Sequence, residues 1–301
     1  MMGPMPPEHR SGFACLVGRP NAGKTTLTNA LVGRKIGITS TRPQTTRHAI
    51  RGIVHRPDAQ LVLVDTPGLH KPRTVLGRRL NDIVRATWAE VDVVGFCVPA
   101  DQPVGPGDRY IAAELARLRT PLIAVVTKSD LAQRDALAGQ LLAVSRLGEF
   151  AEIVPVSAVS REQIGVLTEL LVQRLPPGPQ LYPDGELTDQ PEQVLVAELI
   201  REAALEGVRD ELPHSLAVTV EEMTAREGRD DLVDVHALLY VERPSQRGIV
   251  LGKNGTRIKA VGTAARRQIE ALLGTRVYLD LHVKVLPGWQ NDPKKLSRLG
   301  F

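Results

Sequence analysis

The chain has 301 residues, a length that suggests two domains at roughly 150 residues each. Apolar residues make up 43% and charged residues 24%, which excludes wholesale disorder, collagen and disulfide-scaffold architectures. The net charge of +4 is unevenly spread: from Tyr240 to Phe301 there are 12 Lys/Arg against 4 Asp/Glu, leaving 26 against 30 before them. The basic back end is expected to meet a polyanion; the alternative is a solvated basic face with no partner.

Residues 1–11 carry three prolines and no apolar stretch, and are expected to form a loose arm rather than a secretory signal. No run approaches the length of a membrane-spanning helix, so a cytoplasmic location is expected. From Phe13 to Arg174, strand-like apolar runs (Phe13–Val17, Leu61–Asp65, Val91–Val98, Leu122–Thr127 and Ile153–Val156) alternate with helix-patterned stretches such as Leu131–Leu147 and Gln163–Arg174. That alternation predicts βαβ units, hence a mostly parallel sheet with helices on both faces. Cys15 and Cys97 lie inside apolar runs and are read as small core residues, not a disulfide pair.

The stretch Pro176–Pro191 is dense in proline and glycine and reads as an interdomain linker. Beyond it come a helix-period run (Val194–Val208) and two alternating runs (Ser215–Glu222 and Val235–Glu242), expected to be antiparallel. A short segment, a helical stretch (Thr256–Leu273), an alternating strand (Val277–Val285) and a polar tail complete the chain. The order helix, strand, strand, helix, helix, strand predicts a small α+β domain. The expected division is therefore an arm at 1–11, an α/β domain at 12–175, a linker at 176–193 and an α+β domain at 194–301.

Gly18-Arg19-Pro20-Asn21-Ala22-Gly23-Lys24-Thr25 fits the pattern G-x-x-x-x-G-K-[ST] between a predicted strand and a predicted helix. Backbone N–H groups of such a loop can curl around a β-phosphate at the positive end of the helix. Lys24 would reach the β/γ oxygens and Thr25 would bind Mg²⁺. Asp65-Thr66-Pro67-Gly68 follows another buried strand. There Asp65 can hold the cation through water, and the Gly68 N–H can meet a γ-phosphate. Thr127-Lys128-Ser129-Asp130 ends a third strand, where Asp130 suits the N1–H and exocyclic amine of guanine, donors that adenine does not present together. The stem of Lys128 could cover the base, and Ser157-Ala158 would offer a backbone N–H to O6.

These elements together resemble the translation-factor class of GTPases. The segments Ser40-Thr41-Arg42-Pro43-Gln44-Thr45-Thr46-Arg47-His48 and Asp65-Thr66-Pro67-Gly68-Leu69-His70 resemble switch I and switch II of the bacterial Era-type GTPases. Ile249-Val250-Leu251-Gly252-Lys253-Asn254-Gly255-Thr256-Arg257-Ile258-Lys259 is similar to the K-homology RNA-binding signature, and the α-β-β-α-α-β order matches the type II form of that fold. The resemblance implies an α/β P-loop GTPase domain followed by a small α+β type II K-homology domain.

It further implies a phosphate site of Gly18, Asn21, Ala22, Gly23, Lys24, Thr25, Thr26 and Gly68. The Mg²⁺ ligands would be Thr25, Asp65 and Thr46, with Thr45 as runner-up. Guanine would be bound by Thr127, Lys128, Asp130, Ser157 and Ala158. Switch I would include Gln44, Thr45, Thr46, Arg47 and His48; switch II would include Asp65, Thr66, Pro67, Gly68 and Leu69. Gly252, Lys253, Asn254, Gly255, Arg257 and Lys259 would bind RNA, with Arg266 and Arg267 adding charge. Leu69 cannot orient water, and the resemblance implies a GTPase group in which a P-loop Asn, here Asn21, helps bind K⁺. Ordinary turn chemistry is the other reading of Asn21.

The implied partners are GTP, GDP, 16S ribosomal RNA near its 3′ end and the 30S subunit, for a monomer; a peripheral contact with the cell membrane is left open. The family's guanine motif usually begins with Asn. Here Thr127 takes that position, and a hydroxyl can make only part of an amide's network. Two other readings stay open at this point: a P-loop metabolic kinase with an incidental basic domain, and a nucleic-acid-binding module whose nucleotide domain is only a scaffold.

Overall fold

The computed structural model describes residues 9–40, 45–69, 72–206, 208 and 212–301, with Asp230 described only through its backbone. Gln44 and His70, expected in the switches, and residues 1–8 of the expected arm lie outside the described residues. The chain divides into two compact units. The first comprises Met1–Gly37, Thr46–Pro72 and Gly77–Asp189; the second comprises Ile38–Thr45, Arg73–Leu76 and Gln190–Phe301.

In chain order the first unit's elements are β1 (Arg10–Val17), α1 (Lys24–Val32), β2 (Ile50–His55), β3 (Ala59–Asp65), α2 (Val75–Glu90, whose first two residues fall in the second unit), β4 (Val93–Pro99), α3 (Pro106–Leu115), β5 (Leu122–Thr127), α4 (Arg134–Ser145), β6 (Glu152–Pro155) and α5 (Ile164–Val172). The six strands form one sheet in the order β2-β3-β1-β4-β5-β6. All pairings are parallel except β2 with β3. Residues of β3 and β4 are buried throughout, as expected of strands covered on both faces. Two core clusters flank the sheet, one holding Cys97 with Leu16 and Leu167, the other holding Cys15 with Phe96 and Val84. Both thiols are free and buried, and burial pushes that of Cys97 up to about 12.

The strand β2 lies outside the sequence expectation. Its middle residue is Gly52, where an added Cβ would come within 2.5 Å of Ile36 Cδ1 and 2.6 Å of Val32 Cγ2. The glycine that breaks the alternating pattern is thus required by the strand's close approach to α1. The proline-rich stretch runs along this edge: the Ile53 N–H donates to the Leu187 carbonyl at 2.9 Å, and Gln60 Oε1 accepts from the N–H groups of Leu181 and Tyr182 at 2.7 and 2.9 Å.

The second unit contains α6 (Glu192–Leu205), β7 (Ala217–Arg226), β8 (Arg229–Val241), α7 (Pro244–Leu251), α8 (Thr256–Leu273), β9 (Arg276–Val285) and α9 (Pro293–Arg298). Its sheet is ordered β7-β8-β9, antiparallel then parallel. One core cluster gathers Ile200 and Ala203 of α6, Ala265 and Ile269 of α8, Val235 and Leu239 of β8, and also Ile38. Within this unit, the Thr39 N–H donates to Glu202 Oε1 at 2.7 Å and the Arg201 guanidinium donates to the Thr45 carbonyl.

The tail read as polar is instead packed structure. Trp289 is fully buried, donates its indole N–H to the Ser215 carbonyl at 3.2 Å and stacks on Phe301 with centroids 5.8 Å apart. Asp292 caps α9 by accepting from the N–H of Lys294 at 2.9 Å. Among the described residues, no helix is long and apolar enough to cross a membrane.

Candidate functional site

The strand-to-helix turn after β1 opens α1 with Gly23 in the left-handed conformation (φ 81°) and no side chain capping the helix. The first N–H groups of α1 are therefore left for a ligand, and the helix dipole makes that ligand an anion. Lys24 is buried and donates to the carbonyls of Gly18 and Arg19 at 3.2 and 3.1 Å. Burial lowers the pKa of its ammonium, opposed by the charge of Asp65.

Three oxygens converge beside it. Thr25 Oγ1 donates to Asp65 Oδ2 at 2.6 Å and lies 2.8 Å from Thr46 Oγ1. Asp65 is 1% exposed, and burial lifts its pKa to about 6. Its Oδ1 is buried and has no hydrogen-bond partner. A buried carboxylate oxygen without a partner is costly unless a cation or donor completes it. Thr46 rather than Thr45 reaches this cluster; the Thr45 carbonyl is held by Arg201 in the second unit.

Gly68 approaches the loop so closely that an added Cβ would sit 2.8 Å from the backbone N and Cα of Pro20. Only glycine brings the backbone after β3 this near the Gly18–Thr25 loop. Thr66 donates its hydroxyl to the Leu16 carbonyl at 3.0 Å, and the Leu69 N–H donates to the Gly18 carbonyl at 3.4 Å. The Leu69 side chain is 4% exposed, packed into the core cluster with Val17 and Phe96. Asn21 is exposed at the loop tip with φ 64°, a conformation that Asn tolerates better than most residues. Pro67, Arg47 and Ala22 are buried, while Thr26 and His48 are half-buried.

Two supports of this site escaped the sequence reading. Arg19 donates from Nε to Asp108 Oδ1 at 3.1 Å and from Nη1 to Gln102 Oε1 at 2.8 Å, tying the loop to the start of α3. Asp108 is fully buried and also accepts from the Gly105 N–H at 2.9 Å. The signal available was Pro106 at the first helical position with an acidic residue two places on, a helix-start signature that fixes where α3 begins.

At the ends of β5 and β6 the proposed base-binding residues come together. Thr127 Oγ1 donates to the Ala22 carbonyl at 2.7 Å. Lys128 adopts φ 59°, its stem near Gly23 and its ammonium 3.2 Å from Asp101 Oδ2. Asp130 is exposed on the following turn, while Ser129 donates to Glu162 Oε2 at 3.1 Å. The Ser157 N–H donates to the Glu162 carbonyl at 3.2 Å, and Ser157 Oγ accepts from the Ser160 N–H at 3.0 Å. Of the pair Ser157-Ala158, the Ser157 N–H is thus already committed within the fold.

In the second unit, Gly252 (φ 73°) and Gly255 (φ 74°) bracket the exposed Lys253 and Asn254 between α7 and α8. At Gly252 an added Cβ would fall 2.7 Å from Arg257 Cβ and 3.0 Å from Arg257 N, so this turn is closed to larger residues. Lys259, Arg266 and Arg267 are exposed. Arg257 departs from the sequence expectation of a nucleic-acid contact: its guanidinium donates to the carbonyls of Ala204 and Glu206 at 3.3 and 2.7 Å. Carbonyls at a helix C-terminus lack intrahelical partners and attract cations, and α6 ends here.

Comparison with known proteins agrees with both units. Family models described as a 50S ribosome-binding GTPase and a KH domain match residues 13–128 and 211–290. The chain is 68% identical over 297 residues to GTPase Era of Mycolicibacterium smegmatis, covering 98% of this chain and 99% of the relative. It is 67% identical to GTPase Era of Streptomyces coelicolor over 302 residues, covering 97% and 95%. Among solved structures, Era in complex with MgGDPNP and nucleotides 1506-1542 of 16S ribosomal RNA superposes with a TM-score of 0.94 at 33% identity, covering 97% of this chain and 99% of that one. A single-residue variant of Aquifex aeolicus Era bound to GDP.AlF4- gives a TM-score of 0.93 at 33% identity, with the same coverage.

Proposed function

The chain belongs to the Era family of GTPases, and from that premise we propose that it is a GTP-hydrolysing switch that binds 16S ribosomal RNA near its 3′ end and acts in maturation of the 30S subunit. The observation that carries the nucleotide half is the convergence of Thr25, Thr46 and the unpartnered Asp65 oxygen beside buried Lys24.

The residues fit Mg²⁺, a hard cation that prefers oxygen and keeps several waters. Thr25, Thr46 and Asp65 would hold it, and it would supply positive charge against the phosphates. Lys24 and the opening amides of α1 cradle the β- and γ-phosphates, while the Gly68 N–H faces the γ-phosphate. Asp130 accepts from the guanine N1–H and amine, the Lys128 stem covers the ring, and the Ala158 N–H donates to O6. Hydrolysis in such a site is mainly positioning and charge stabilisation. Leu69, buried in the core, does not orient the attacking water. Asn21 is the residue we assign to holding K⁺, which would supply positive charge beside the phosphates.

The RNA half rests on the Gly252–Gly255 turn. Its exposed Lys253 and Asn254, with the uncapped start of α8 behind them, suit the backbone of a single strand of about four nucleotides. The coupling of the halves follows from the switch segments. GTP orders switch I through Thr46, while Ile38, Thr39 and Thr45 of the same segment are built into the second unit. RNA should therefore bind more tightly with a non-hydrolysable GTP analogue than with GDP, by roughly 5- to 150-fold for typical coupling energies. Crosslinking the full chain to cellular RNA in each nucleotide state, then mapping the bound segment and measuring its affinity at fixed salt, tests this. Crosslinks outside the small-subunit RNA would sink the RNA assignment, and affinities within about twofold in the two states would sink the switch.

A further inference from the structure

The position that begins the guanine motif is held by Thr127, and its hydroxyl is already engaged. It is 3% exposed, and Oγ1 donates to the Ala22 carbonyl at 2.7 Å. An added Cβ on Gly23 would lie 3.6 Å from that oxygen, so Thr127 packs directly against the Ala22–Gly23 peptide of the phosphate loop. A hydroxyl carries one proton. With that proton on Ala22, Thr127 keeps only acceptor lone pairs. The guanine edge formed by N7 and O6 also consists of acceptors. No hydrogen bond can form between the two.

The same bond has a consequence for the phosphates. A peptide unit is planar and trans, so its C=O and N–H point in opposite directions. Holding the Ala22 carbonyl toward Thr127 aims the Gly23 N–H the other way. In a loop of this pattern that amide is one of those that wrap the β-phosphate.

We propose that Thr127 is a positioning residue for the phosphate loop and gives the guanine base no hydrogen bond, leaving base selectivity to Asp130 and the Ala158 N–H. The proposal rests on the GTP-site reading above. It predicts that Thr127 contributes equally to every nucleotide, whatever the base, and that Thr127 adds no dependence of affinity on the base's N7.

The test measures affinities of the full chain, with Mg²⁺, for GDP, inosine diphosphate, 7-deaza-GDP and ADP. The proteins compared are the unmodified chain, Thr127→Ser, Thr127→Val and Thr127→Asn, with melting of each followed in parallel. The unmodified chain should bind 7-deaza-GDP within about twofold of GDP, because Thr127 offers N7 no donor. Thr127→Val leaves the Ala22 carbonyl without its donor and should weaken GDP, inosine diphosphate and 7-deaza-GDP by one common factor of about tenfold. Thr127→Ser should restore affinity to within about twofold.

An amide has two N–H donors and can brace Ala22 while also reaching the base, so Thr127→Asn should create a preference for GDP over 7-deaza-GDP of about fivefold. A 7-deaza penalty in the unmodified chain that Thr127→Val abolishes would overturn the proposal, as would unchanged GDP affinity in Thr127→Val. Should Thr127→Val fail to fold, the unmodified chain and Thr127→Asn still decide: equal 7-deaza penalties in both proteins overturn it. Equal affinity of the unmodified chain for GDP and ADP would instead sink the GTP-site reading itself.

Discussion

Phosphate is the expected ligand of two glycine-bracketed turns in this chain, one in each unit, and the two are made differently. Around Gly18–Thr25 the polar side chains are hydrogen-bonded to the fold: Lys24 to loop carbonyls, Thr25 to Asp65, Thr127 to Ala22, Arg19 to Asp108. Around Gly252–Gly255 the tip residues Lys253 and Asn254 stand in solvent, and Arg257 is turned back onto the end of α6. A preorganised site pays little ordering entropy on binding, whereas an exposed basic loop attracts polyanions through screened charge. The first arrangement suits a single defined small molecule. The second suits a strand whose bases vary along its length.

The contrast can be broken most severely at Asp130. Asp130→Asn removes two charge-assisted acceptors and should weaken GTP binding by roughly 100-fold while favouring xanthosine triphosphate, whose C2 oxygen suits an amide donor. Competition between the two nucleotides reads this directly, and equal affinity of the unmodified chain for ATP and GTP would contradict it. The exposed loop should give a smaller, salt-sensitive response. Lys253→Asp with Asn254→Asp should weaken single-stranded RNA binding by about tenfold across sequences, and log affinity of the unmodified protein should fall with log salt at about 0.7 per neutralised phosphate. Unchanged affinity of the double variant would move the RNA site elsewhere. The smallest effect concerns turnover: hydrolysis should be several-fold faster in K⁺ than in Na⁺, and Asn21→Ala should erase the difference. Equal rates in both salts for the unmodified chain would remove Asn21 from that role.

Much of this was legible in the residues. The phosphate loop announces itself because its spacing and its strand-loop-helix setting are local, and Asp65, Thr127 and Ser157 follow the ends of apolar strands that any periodicity count finds. The unread parts depend on tertiary contacts. The strand β2 hid behind Gly52, whose hydrogen-only side chain answers to α1 rather than to strand propensity. The tail after Val285 looks polar because its few apolar anchors, Trp289, Leu296 and Leu299, are scattered among polar residues, yet all three are buried. Arg257 carries the same charge as Lys253 in sequence, and only the end of α6 beside it decides that it caps a helix. Likewise Arg201, 1% exposed on α6 and paired with Glu198 at 2.6 Å, gives no sequence sign of holding the Thr45 carbonyl.

The stretch from Pro176 to Asp189 carries a practical consequence for anyone cutting the molecule into parts. The Ser11 N–H donates to the Pro176 carbonyl at 3.2 Å, the Gly178 N–H to the His9 carbonyl at 2.9 Å, and the Ile53 N–H to Leu187. Arg51 pairs with Asp189 at 2.7 Å. This segment starts beside the first residues of β1 and reaches the outer edge of β2, where the Leu187 carbonyl meets the Ile53 N–H, and its prolines offer no N–H to a further strand. A nucleotide-binding fragment ended at Leu175, where the βαβ pattern stops, would bare a hydrogen-bonding edge of the kind that recruits strands from other molecules. Ended after Asp189, the fragment keeps its own selvedge, and the place to divide this protein is therefore past its prolines rather than before them.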